Sequence, residues 1–181
     1  MTRLVSLACP GCQAPVEPTR LERACVFACA RCPTAVEVTR AGLQAYPIRC
    51  ATGAATTTGL YWALAGQMTV NRFAASEPAV TELGEVSHEG QTLPFGFSVP
   101  CADLGIPLAL ASACRRAAKP LVAGPWTPDP GRTPQQGSLG RADAERIAHQ
   151  VWVNLITRAE GRIHQLDVSI AVTSCVVLRV D

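Results

Sequence analysis

The most regular pattern of apolar and polar positions lies towards the carboxyl end. Across residues 141–160, Ala144, Ile147, Ala148, Val151, Leu155 and Ile156 recur three and four places apart and share one stripe of a helix. Asp143 and Glu145 suit its positive amino end, and Gly161 supplies a stop. Beyond it the period drops to two: Leu166, Val168, Ile170 and Val172 alternate with Asp167, Ser169 and Ala171, as in a strand covered on one face. Residues 175–180 predict a second strand, with Thr173 and Ser174 as a turn or an irregularity between the two.

Upstream, residues 60–64 and 68–73 flank Gly66-Gln67 and predict a tight hairpin. Residues 80–86 and 93–99 read as further strands. Residues 104–118 read as a short helix, with Pro107 in its first turn, Leu108, Ala111 and Cys114 on one face, and Pro120 enforcing its end. The expected class is therefore α+β, with an antiparallel sheet and about two helices. Residues 119–140 hold five prolines and four glycines and predict a long loop. Trp126 within it is a candidate anchor, onto its own core or onto a partner.

Cysteine chemistry changes the picture at the amino end. Cys9-Pro10-Gly11-Cys12 and Cys29-Ala30-Arg31-Cys32 are two pairs with two-residue gaps, a spacing that lets each tight turn aim both thiolates at one ion. Leu4 to Leu7, Val26 and Phe27, and Ala35, Val36 and Val38 supply short flanking strands. This segment, roughly residues 4–40, resembles the zinc ribbon family, with Cys9, Cys12, Cys29 and Cys32 at its four ligand positions. The resemblance implies a fold and one structural zinc, and it implies no activity. Cys25 is an alternative ligand with a poorer, three-residue gap to Cys29. The glycine that commonly follows a knuckle cysteine is Gln13 in the first pair and Pro33 in the second. Iron in a rubredoxin-like electron carrier is the alternative cofactor, disfavoured because Phe27 is the only aromatic residue before Tyr46. The division expected is a ribbon over residues 1–45 and an α+β domain over 46–181.

The amino terminus carries no export signal and no stretch suits a membrane span, so a cytoplasmic, reducing setting is expected, in which clustered cysteines serve metals rather than disulfides. Cys50, Cys101, Cys114 and Cys175 stand alone and read as buried small hydrophobes. Cys101 stands out among them, since a nearby helix start would lower its pKa. With 48% hydrophobic residues among 181, disorder is excluded for most of the chain. The net charge of +2 argues against a broad nucleic-acid surface, although Arg20, Arg23, Arg31 and Arg40 place the small excess on the cysteine-rich segment. No phosphate loop, nucleophile elbow or helical zinc-protease motif is present, so enzymatic activity is unsupported. Only 17% of residues are charged, which favours a protein partner covering apolar surface and a role as structural subunit, adaptor or assembly factor.

Overall fold

Two long strands form the spine of the protein. In the computed structural model, which describes residues 7–16, 24–52, 58–102, 104–127, 135–159 and 163–180, the elements run β1 (Val26–Ala28), β2 (Thr34–Thr39), β3 (Gly42–Thr52), β4 (Gly59–Ala75), β5 (Ala79–Thr81), β6 (Gly84–Val86), β7 (Thr92–Pro100), α1 (Ile106–Arg115), β8 (Val122–Gly124), β9 (Gln136–Gly137), α2 (Arg141–Arg158) and β10 (Ile163–Val180). Strands β4 and β10 pair antiparallel from Ile163↔Ala75 to Val180↔Gly59. The sheet continues in the order β7-β4-β10-β3-β2-β1-β9, with β8 also beside β3, while β5 and β6 form a separate hairpin.

This overturns the α+β expectation. Of the described residues, 51% are strand and 19% helix, arranged as a curled half-barrel sheet with two helices. The physical reason lies in two places where strands run on: at Gly66-Gln67, where a hairpin turn was expected, and at Thr173-Ser174, where of the turn or irregularity expected it is the irregularity that occurs. Gly66 pairs with Val172 inside β4, and any Cβ on it would collide with the carbonyl oxygen of Ala171. The glycine thus permits close backbone approach at a bulge rather than a hairpin turn. Thr173 is the matching irregularity in β10, where the register shifts between Val172 and Ser174; two further shifts occur between Ile163 and Gln165 and between Asp167 and Val168. Bulges add local twist, so a ribbon of this length curls instead of lying flat.

The sheet is also not wholly antiparallel. β3 pairs antiparallel with β2 up to Pro47, then parallel with β10 from Ile48 to Cys50. Residues 80–86, expected as one strand, instead make the β5–β6 hairpin, closed by the Thr81 hydroxyl donating to the Gly84 carbonyl at 2.7 Å. The proline-rich stretch contributes short strands β8 and β9 to the sheet edges. In α1 the buried residues are Ala109 and Ala113, whereas Leu108 is 62% exposed, so the face expected from Leu108, Ala111 and Cys114 is rotated. The second helix keeps its stripe: Ala144, Ile147, Ala148, Val151 and Ile156 are buried, joined by Trp152, and Leu155 is half-buried. Gly161 lies outside the described residues. No described helix is long and apolar enough to cross a membrane.

β1 and β2 separate two cores. Val26, Ala28 and Ala35 face the main core with Trp62, Phe97 and Trp152, while Phe27 and Val36 face a small core around Cys9 and Cys29. Period-two alternation makes this double burial automatic. Glu37, on β2, is nearly buried and caps α2 from a distance: its Oε1 accepts the Arg141 backbone N–H at 2.8 Å, and its Oε2 accepts the Tyr46 hydroxyl at 3.0 Å. The local cap, Gly140, has no side chain to offer, and a Cβ there would strike Glu37 Oε1. Its charge also suits the positive pole of the helix. Glu37→Ala should therefore leave a helix N–H and a phenol unpaired and cost about 1–3 kcal/mol in urea unfolding. Tyr46→Phe should cost less.

Candidate metal centre

Each cysteine pair sits in its own small turn. In the first, the Cys9 N–H donates to the Ala14 carbonyl at 2.8 Å and the Gln13 N–H to the Cys9 carbonyl at 2.8 Å, while the Val16 N–H reaches the Leu7 carbonyl at 2.7 Å. The second closes through the Cys29 N–H donating to the Thr34 carbonyl at 2.9 Å and the Thr34 N–H to the Cys32 carbonyl at 2.7 Å. Gln13 stands in the left-handed region at φ 59°, the conformation that a glycine after the knuckle would adopt without strain. Gly11 is needed for a different reason, since a Cβ on it would lie 2.6 Å from Thr34 Oγ1 and 3.3 Å from Cys32 Sγ. The two turns therefore meet glycine against sulfur.

The sulfurs of Cys9, Cys12, Cys29 and Cys32 all lie within 4.8 Å of one another. Cys9 Sγ is 3.5 Å from Cys32 Sγ, and Cys12 Sγ is 3.6 Å from Cys29 Sγ. A tetrahedral ion with metal–sulfur bonds of about 2.3 Å requires sulfur–sulfur separations of about 3.8 Å. The donor set and its spacing thus fit a four-coordinate thiophilic metal with small adjustments.

Electrostatics differ around the cluster. Cys12 is exposed, and its thiol is drawn below the usual value, chiefly by the Ala14 backbone N–H and then by Cys32. Burial pushes the Cys29 thiol up against the opposing N–H groups of Arg31 and Cys32, and burial pushes Cys32 up to about 12 despite the Thr34 hydroxyl. The Arg31 N–H approaches Cys29 Sγ at 3.4 Å. Thr34, Ala14 and Arg31 are contributors that cysteine spacing alone does not point to. A metal must displace these thiol protons to bind, so its affinity should rise with pH through neutrality.

Cys25 is on the other side of the wall. It packs against the main core near Gly140, and burial, followed by Glu37 and Asp143, pushes its thiol up to about 11. Cys101 is wholly buried and its thiol is raised well above normal by that burial, the reverse of the lowering expected from a helix start. Cys175, half-buried, rises to about 11 for the same reason. His149 bonds the Val168 carbonyl oxygen at 2.9 Å and His164 lies 3.4 Å from the Ser76 hydroxyl. Cys50 lies 3.4 Å from Thr127 Oγ1. The indole of Trp126 packs against the main core.

Comparison with protein families, with curated proteins and with solved structures finds no match. Of the expected zinc ribbon, what the structure bears out is the four-cysteine cluster, which could hold a metal ion.

Two outcomes are expected. Gln13→Gly should relieve the left-handed backbone and stabilise the metal-loaded protein by up to about 1 kcal/mol in thermal unfolding. In metal-free protein at pH 8, peptide mapping should find Cys12 alkylated well before Cys25 and Cys175, and metal loading should protect Cys12.

Proposed function

We propose that this chain is a non-enzymatic zinc protein that serves as a structural subunit or adaptor of a larger cytoplasmic protein complex. The observation that carries the reading is the cluster of four thiols, Cys9, Cys12, Cys29 and Cys32, within 4.8 Å of one another, which would together fill the four positions of a tetrahedral ion and leave none for water or substrate. When bound, zinc would supply cross-linking free energy to a segment whose own core is small, on the order of 10 kcal/mol or more. Residues 1–45 act in this reading as the metal unit and 46–181 as the body that it braces. Zinc is preferred to iron because, among the described residues, Phe27 is the one aromatic side chain in the small core.

The docking half of the proposal is supported by exposed apolar side chains around the start of α1: Ile106 is 66% and Leu108 62% exposed, and Leu104 adds to the same stretch. A metal held by all four thiols would have no position open for a substrate, so contact through such surface is the activity that this reading favours.

Native mass spectrometry of the protein purified gently from its own cells tests both halves. One zinc and a co-purifying chain are expected. Cys12→Ser should lose the metal while Cys25→Ser keeps it, and Leu108→Glu should lose the chain while keeping the metal. Visible colour with a reversible one-electron couple would replace zinc by iron. A metal-bearing monomer that binds DNA or RNA in a salt-dependent manner would replace the adaptor by a nucleic-acid ribbon.

A further inference from the structure

Where the β5–β6 hairpin meets the carboxyl ends of both helices lies an open cavity of about 480 Å³. That is within the size of small-molecule sites, roughly 300–1,000 Å³. Ala111 and Cys114 of α1 and Leu155 of α2 give it an apolar part, and Arg115, Arg158 and Glu82 give it charge. Arg115 and Arg158 are the last residues of their helices.

A basic residue in a last helical turn is ordinarily explained by the negative pole of the helix dipole. That accounts for each arginine singly and leaves their convergence on one cavity unexplained. The other arginines of α2 are paired: Arg141 with Glu145 at 2.7 Å and Arg146 with Asp143 at 3.1 Å. Among the described residues, neither Arg115, Arg158 nor Glu82 has such a partner. Burial raises the Cys114 thiol, while Arg158 and then Arg115 pull it down, which puts both guanidinium groups within electrostatic reach of the cavity floor.

We propose that this cavity binds a small amphipathic monocarboxylate, its head between Arg115 and Arg158 and its apolar tail along Ala111 and Leu155. Planar guanidinium groups match a carboxylate bidentately, and the two arginines with Glu82 leave a net charge of +1, complementary to a single negative charge. The Glu82 carboxylate disfavours a second negative charge, and the apolar part rewards a tail, so inorganic phosphate is selected against.

The test uses the full, zinc-loaded chain with octanoate, octanol and inorganic phosphate as probes, read by calorimetry and by site-resolved alkylation of Cys114. Octanoate should bind saturably and slow Cys114 alkylation, while octanol and phosphate at equal concentration do neither. The Arg115→Ala/Arg158→Ala double variant should weaken octanoate binding about tenfold or more, the loss of charge-assisted hydrogen bonds. Both arginines are exposed, and the probe comparison on the unaltered chain stands whatever the variant does. Absence of octanoate binding, octanol or phosphate binding equally well, or an unchanged affinity in the folded double variant would each overturn the assignment.

Discussion

The β1–β2 hairpin is buried on both faces, and much of the remaining structure follows from that constraint. A two-stranded hairpin is marginal alone. Here alternate residues are drawn into different cores, Val26 and Ala35 into the body and Phe27 and Val36 towards the thiols. The candidate metal centre is therefore not a pendant knuckle: Cys29 follows directly on Ala28, which is packed in the main core, and Phe27 packs beside the thiols. Glu37 extends the same logic, since from the body side of β2 it reaches the first turn of α2 and fixes where that helix begins.

The second organising element is the long pairing of β4 with β10. Its bulges bend the ribbon, and β3 then joins it in parallel through Ile48 to Cys50 while holding β2 through its earlier half. A single strand thus connects the cysteine-bearing hairpin to the spine. Trp62, near one end of β4, ties this arrangement to the segment before α2 by donating its indole N–H to the Leu139 carbonyl at 2.8 Å, and its ring meets Tyr46 edge-on at 4.9 Å. The aromatic contact joins β3 to β4 and the Glu37–Tyr46 bond joins β2 to β3, so polar and apolar restraints meet at Tyr46.

Chemistry is distributed unevenly over this frame. The thiols that stand together lie at turns with short local hydrogen bonds, and Cys12 among them is drawn down, whereas Cys25, Cys101 and Cys175 lie against the body and are all raised by burial. The charged cavity lies elsewhere, at the helix ends, and is lined by neither set of turns. The thiol cluster is carried by the turns beside β1 and β2, and the cavity by the two helices and the separate β5–β6 hairpin, so the two share no element.

The amino-acid sequence by itself determined the features whose cause is local. Two-residue gaps brought out the four clustering cysteines because knuckle geometry depends on neighbouring residues alone, and the three-four spacing from Ala144 to Ile156 brought out α2 because a helix satisfies its own backbone. Tertiary structure decided the rest. Gly66 carries the same local signal for a turn as for a bulge, and only the opposing Ala171 carbonyl selects the latter. Whether α1 buries Leu108 or Ala109 depends on which surface it meets, and whether Cys25 joins the thiols depends on which face of the hairpin it takes. Glu37 as a cap for a helix 104 residues away in the chain has no sequence signature at all. The predominance of sheet over helix follows from the same cause: strand length is set by partners distant in sequence, and those partners turned two expected hairpins or breaks into continuous strands.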